Sequence, residues 1–177
     1  MTPSILWLTG LPGSGKTTIA EAVCTELTVH HDFGTLLLDG DELRKGLCAD
    51  LGLDRYSRRE NARRAAHLAR MIANYALRHA VVSLISPYRE DREMARKIAG
   101  KTPFIEVWVA TPLSVCSQRD PKGLYRRARM GELKGLTGVD DPYEAPLNPE
   151  VVVDTTVDTA QICAAKIVAT LNSRGRP

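Results

Sequence analysis

The 177 residues are 44% hydrophobic and 25% charged, the composition of one folded domain with a sizeable core, and no Ser/Gly/Pro-rich linker, repeat or low-complexity tract divides them. The net charge of +3 leaves anionic ligands open, whereas aromatic residues at 5% argue against an interleaved basic-aromatic surface for nucleic acid. Four scattered cysteines without C-x-x-C spacing, and four histidines without metal spacing, exclude a disulfide framework and a Cys/His metal site; reduced, packed thiols are expected.

The chain then alternates strands and helices. The apolar run 4–8 is too short to span a bilayer or to serve as a signal core, so it reads as a buried strand, and the expected location is the cytoplasm, away from any membrane. Ile19, Val23 and Leu27 share a helix face over 16–27. A strand over 34–38 and a short helix over 41–47 follow. Residues 57–80 form the longest helical pattern, with Ala62, Ala65, Ala66, Ala69, Ile72, Ala73 and Ala76 on one narrow face and Ser57-x-x-Glu60 as a capping-box signature. Strands are expected at 81–85 and 104–109, short helices at 112–118 and 125–132, a β-branched strand at 151–153 and a closing helix at 158–171. The tail 172–177 is expected to fray.

Continuous apolar strands separated by helices predict an α/β fold with a parallel five-stranded sheet covered on both faces, its ligand beyond the carboxyl ends of the strands. The informative residues stand there. Gly10-Leu11-Pro12-Gly13-Ser14-Gly15-Lys16-Thr17 follows the first strand and matches the Walker A spacing in full. Its glycines let backbone N–H groups turn inward, a helix adds its positive end, Lys16 reaches the outer phosphates and Thr17 ligates Mg²⁺. Pro12 has no N–H to donate. Asp39-Gly40-Asp41 follows the second strand: two carboxylates suited to an acceptor hydroxyl and to metal waters, or to a turn and a helix cap. Arg58 and Asn61 share a face of the long helix, and Ser86 follows the third strand. No guanine-reading N-K-x-D segment is present.

Charge is concentrated in two places. Residues 55–64 hold five arginines against Glu60, and residues 119–134 hold six basic side chains against Asp120 and Glu132. Both read as a site for a polyanionic ligand or as solvated helix faces. The long polar stretch 119–146 reads as a lid.

Several stretches together resemble the adenylylsulfate (APS) kinase family of P-loop kinases. They are 10–17; Leu38-Asp39-Gly40-Asp41 with Arg44; Arg58 with Glu60-Asn61; Ile85-Ser86-Pro87-Tyr88-Arg89; Asp120-Pro121-Lys122-Gly123-Leu124-Tyr125; and Thr137-Gly138-Val139-Asp140-Asp141-Pro142-Tyr143-Glu144-Ala145-Pro146. The resemblance implies a three-layer P-loop kinase fold with a lid, a single domain over 1–177, and transfer of the ATP γ-phosphate to the 3′-hydroxyl of adenosine 5′-phosphosulfate with Mg²⁺. It implies that residues 10–17, with Thr18 and Arg119, bind ATP, and that Thr17 and Asp39 serve the metal. Lys16, Asp41 and Ser86 would act in catalysis, Asp41 on the 3′-hydroxyl. Asp39, Arg44, Leu53, Arg58, Asn61, Ile85, Lys122, Gly135 and Leu136 would line the acceptor pocket.

Ser86 falls where the family is often described as carrying a phosphoserine. Direct transfer is the expectation here, because a P-loop kinase needs only positioning and charge stabilisation. The resemblance also leaves room for a homodimer and a sulfurylase partner. The chain departs from the family pattern at Leu53 and Leu136, usually Phe; at Glu42, usually Asn; and at Ser57, usually Asp and expected to keep the cap. Aromatic stacking on a base is worth about 1–3 kcal/mol, so the two leucines leave a retuned acceptor as an alternative. A catalytically silent nucleotide-binding subunit is a further alternative.

Overall fold

The first strand, β1 (Ile5–Thr9), is buried along its whole length and sits in the middle of the sheet. Its alternation decides the layering: Ile5 and Trp7 enter one core, Leu6 and Leu8 the other. A computed structural model describes residues 2–30 and 34–174. In chain order β1 is followed by α1 (Lys16–His30), β2 (Thr35–Asp39), α2 (Gly40–Lys45), α3 (Arg55–Tyr75), β3 (His79–Ser83), α4 (Arg89–Ala99), β4 (Phe104–Val109), α5 (Leu113–Arg119), α6 (Leu124–Arg129), β5 (Val151–Val153) and α7 (Ala160–Arg174).

All five strands are parallel, in the order β2-β3-β1-β4-β5. Helices α3 and α4 cover the face that carries Trp7, Val82 and Phe104. Helices α1 and α7 cover the face that carries Leu8, Val81 and Val107. A smaller apolar cluster of Cys116, Tyr125 and Leu136 lies beyond the strand ends. The chain leaves β1 for the edge strand β2 on one side, and after β3 it passes β1 to build β4 and β5 on the other, so the connections change direction at β1 and the crevice above it is the topological switch point of the sheet. The α/β, parallel five-stranded expectation is met. The cysteines are free thiols, with Cys48, Cys116 and Cys163 buried. Among the described residues no helix is long and apolar enough to cross a membrane.

Three sequence expectations need correcting. Ser57 does not cap the long helix. Asp54 does, accepting the Ser57 backbone N–H at 3.0 Å and the Ser57 hydroxyl at 2.6 Å. Glu60 is drawn instead to Arg63 and Arg64, at 2.7 and 2.9 Å. Helix α3 ends at Tyr75, because the chain turns through Leu77 at φ 50° to enter β3. The third strand accordingly starts at His79 rather than at residue 81.

Helix α4 has no counterpart in the sequence reading. Two of its buried positions are Asp91 and Arg92, so its inward face is not an apolar stripe. Residues 172–174 continue α7, and residues 175–177 of the expected frayed tail lie outside the described residues.

Candidate active site

The segments that follow β1, β2 and β3, with α3 and the stretch 119–125, line one cleft of about 480 Å³ at the carboxyl end of the sheet. The P-loop forms its floor. Gly10 has no room for a side chain, since a Cβ would stand 2.7 Å from the Val109 carbonyl oxygen. Gly13 takes a left-handed φ of 73° and packs against the Cys116 backbone. Together they fold the loop tightly against β4 and α5. The Lys16 ammonium bends back over the loop and donates to the Leu11 carbonyl at 2.7 Å. Burial lowers its pKa to about 8, an effect to which nearby Lys122 adds. The Ser14 carbonyl, beneath the loop, accepts from Thr111 and Thr155 at 3.0 and 3.1 Å. Gly10, Leu11 and Ser14 therefore shape the cradle, while Pro12, Gly13, Gly15, Lys16, Thr17 and Thr18 line the cleft.

The end of β2 stands directly across from the loop. Thr17 donates to Asp39 Oδ2 at 2.8 Å, and the Ser83 hydroxyl lies 3.4 Å from the Thr17 hydroxyl. The other Asp39 oxygen accepts the Asp41 N–H at 2.9 Å and caps α2. This cap aims the short helix so that Asp41 reaches the cleft, where it pairs with Lys122 across the mouth. Lys122 stands in a turn held by Asp120, which accepts the N–H groups of Tyr125 and Arg126 at 3.1 and 2.9 Å.

Arg58 is buried and works inward as well as toward the cleft. It donates to the Leu53 carbonyl at 2.7 Å and to the Gly135 carbonyl at 2.6 Å, and it lies 3.4 Å from Asp141. Burial lowers its pKa, and Asp141 opposes that shift. Arg44 donates to the carbonyls of Leu51 and Gly52 at 2.9 and 3.0 Å, so both arginines fix the wall formed by residues 51–53. One turn along α3, Asn61 is 7% exposed, lines the cleft and has a side-chain carbonyl oxygen without a hydrogen-bond partner. A buried acceptor left open at a cleft wall is suited to a ligand donor. Leu53 also lines the cleft. Leu136 packs into the buried cluster with Cys116 and Tyr125 and is not part of the lining, and Gly135 meets the site through its carbonyl on Arg58.

Ile85 and Ser86 close the far wall. Ser86 is buried with φ 35°, a left-handed conformation that costs a non-glycine residue about 1–3 kcal/mol. Its hydroxyl oxygen accepts the Trp7 indole N–H at 3.0 Å, and its carbonyl accepts from Arg92 at 2.8 Å. Arg119 lines the opposite end, fixed to the Thr155 hydroxyl and carbonyl at 2.7 and 3.0 Å.

The stretch 119–146 divides into two parts. Tyr125 donates to the Pro12 carbonyl at 2.9 Å and ties α6 to the P-loop. Residues 141–145 are bonded to the body: Tyr88 donates to Asp141 at 2.7 Å, Arg92 to the Glu144 carbonyl at 2.7 Å and Arg89 to the Ala145 carbonyl at 2.8 Å. The segment between α6 and residue 135 carries fewer such ties, and its residues 131–132 and 134 are exposed.

Sequence reasoning missed Trp7, Arg92, Tyr125 and Thr155. Thr155 stands two residues beyond the end of β5, so the strand-end rule could have found it. Trp7 and Arg92 reach the site through other residues, and no motif signals them. Among the described residues no cluster of three or more His, Cys, Asp or Glu side chains could hold a metal alone.

The family model for adenylylsulphate kinase matches residues 2–154. Relatives include the adenylyl-sulfate kinase of Geotalea daltonii, 47% identical over 98% of this chain and 84% of that protein. The Marinobacter nauticus adenylyl-sulfate kinase is 45% identical, over 97% of this chain and 85% of that protein. Among solved structures, the Mycobacterium tuberculosis APS kinase in complex with AMPPNP and APS superimposes with a TM-score of 0.91 at 40% identity, covering 97% of this chain and 98% of that one.

Proposed function

Since the chain belongs to the adenylylsulphate kinase family, we infer that it transfers the γ-phosphoryl group of ATP to the 3′-hydroxyl of adenosine 5′-phosphosulfate. The observation that carries the reading is that Lys16, Thr17, Asp41, Arg58, Asn61 and Ser86, drawn from four separate segments, all line one cleft. Lys16 and the loop N–H groups hold the donor phosphates and offset the charge that develops on the transferred group. Asp41 takes the proton of the acceptor hydroxyl, and Lys122 passes from Asp41 to the anionic end of the acceptor. Arg119, fixed by Thr155, meets the donor base. Asn61 and Leu53 meet the acceptor.

Asp39 and Ser83 both stand within hydrogen-bond reach of Thr17, a set of hard oxygen ligands that fits Mg²⁺ better than a softer ion. Thr17 would bind the ion directly and Asp39 would hold its waters; when bound, Mg²⁺ neutralises the outer phosphates. Ser86 acts by position. Its hydroxyl already accepts from Trp7, and a direct in-line transfer requires no phosphorylated side chain.

The test is incubation with Mg-ATP and adenosine 5′-phosphosulfate, reading the 3′-phosphorylated product against ADP. One product per ADP is expected. ADP release with another nucleotide acceptor and not with this one would replace the substrate, and no turnover with either would favour a silent nucleotide-binding subunit.

A pH dependence follows from Lys16. Without ligand its pKa is about 8 because it is desolvated; phosphate oxygens beside it raise that value. Nucleotide binding therefore takes up protons near and above pH 8, and affinity falls as pH rises from there. Calorimetry in buffers of different ionisation enthalpy should show uptake of about half a proton at pH 8, rising at pH 9. Zero uptake at pH 9 would show that Lys16 does not meet the phosphates.

A further inference from the structure

We propose that Trp7 is a positioning residue for the acceptor: its indole N–H occupies the acceptor side of the Ser86 hydroxyl, and so turns the Ser86 O–H toward the cleft as a hydrogen-bond donor. The inference rests on the kinase reading above and adds to it a residue that never lines the cleft. Trp7 is fully buried in the central strand and lies against Phe104, ring centroids 5.8 Å apart. Its one polar atom could have paired with a backbone carbonyl; instead it donates to Ser86 Oγ at 3.0 Å.

Three further contacts hold Ser86 in its left-handed conformation. Arg92 donates to the Ser86 carbonyl at 2.8 Å, and the Thr9 hydroxyl donates to the Ile85 carbonyl at 2.7 Å and lies 3.4 Å from that of Ser86. Arg92 is itself neutralised by Glu106 at 2.7 Å. A hydroxyl has one proton and two acceptor lone pairs. With the indole N–H on one lone pair, the side chain is oriented, and its proton is free to meet an anionic oxygen or a ribose oxygen of the acceptor. No carboxylate or imidazole in the described structure bonds Ser86 Oγ, so nothing there draws the proton away to make a nucleophile.

The experiment is a double-mutant cycle on the full chain with Trp7→Phe, Ser86→Ala and the pair, varying ATP and the acceptor separately. Trp7→Phe keeps a ring against Phe104 and removes the donor together with part of the buried ring volume, whose cost the Ser86→Ala background carries equally. It is expected to lower kcat/KM for the acceptor by about tenfold, the scale of one oriented hydrogen bond, while leaving the KM for ATP unchanged. In the Ser86→Ala background the same change is expected to cost nothing beyond that packing loss. Independent, multiplying losses in the two backgrounds, or an equal loss toward ATP, would overturn the proposal.

A second readout needs no Trp7 variant. The indole ¹H–¹⁵N resonance of Trp7 is expected to move on Ser86→Ala and on adding the acceptor; a resonance unmoved by Ser86→Ala would overturn the proposal even if Trp7→Phe failed to fold. Absence of turnover by the parent chain would count against the kinase reading alone, and the resonance comparison would still decide the role of Trp7.

Discussion

Replacing Lys16 with methionine is expected to lower turnover by roughly 10²–10³-fold, the loss seen when one preorganised charge stabiliser is removed from a water-poor site. Methionine is close to lysine in length and leaves the loop packing in place, so the change isolates the charge. The ammonium is buried and held by the Leu11 carbonyl before any phosphate arrives. Little reorganisation is then needed at the moment of transfer, which is the condition under which a fixed charge contributes most.

The same burial fixes the sign of the effect on stability. A lysine whose folded pKa is lowered from 10.5 to about 8 makes the unfolded chain the stronger proton binder between those values, so its charge opposes folding at neutral pH. Lys16→Met should therefore melt no lower than the parent at pH 7 while losing turnover. Activity within about threefold of the parent would place Lys16 away from the reacting phosphate.

Which parts of this site were legible in the sequence follows from the physics of each element. Strand β1 and the P-loop were legible because an unbroken apolar run and a fixed Gly-x4-Gly-Lys-Thr spacing have few other uses. Strand β2 was legible for the same reason, and the strand-end rule carried Asp39, Asp41 and Ser86 onto the cleft with it. The cap of α3 was misread at Ser57 because Asp54, three residues earlier and not considered from the sequence, is also a capping residue type. A carboxylate can accept two donors at once, and Asp54 takes both the N–H and the hydroxyl of Ser57. Sequence alone does not show that Glu60 is occupied by two arginines.

Helix α4 was invisible for a different reason. Periodicity detects apolar burial, and α4 buries charge: Asp91 meets Arg55, and Arg92 meets Glu106, from elements distant in the chain. Leu136 shows the limit of carrying a role by position. The motif places it at the acceptor, yet its side chain packs beneath α6 with Tyr125. Leu53 is left as the aliphatic contact on the cleft wall.

The buried arginine of α4 carries the second large effect. Arg92→Met is expected to destabilise the fold by about 3–5 kcal/mol, the cost of leaving one member of a buried ion pair unpartnered. Arg92 and Glu106 side chains are 3% and 9% exposed and meet at 2.7 Å. The other cation near Glu106 is Arg96 at 3.7 Å, which is already engaged with Glu150 at 2.8 Å. Glu150 also accepts the Glu106 backbone N–H at 2.7 Å and is reached by the exposed Arg174 at 3.6 Å, so removing Arg92 leaves Glu106 with Arg96 alone, which it shares with Glu150.

The loss extends to the cleft. Arg92 also donates to the carbonyls of Ser86 and Glu144, so the strained wall residue and the anchored end of the 119–146 stretch lose their common partner. Urea denaturation of Arg92→Met, Glu106→Leu and the double variant separates the two roles. If the pair is an anchor, the double variant should recover much of the stability that Arg92→Met loses, because no unpaired charge remains. Its acceptor kcat/KM should stay low, because the Ser86 and Glu144 carbonyls still lack their bonds from Arg92. A loss below about 1 kcal/mol for Arg92→Met would show that the pair behaves like an exposed one, and full recovery of activity in the double variant would show that Arg92 serves the fold alone.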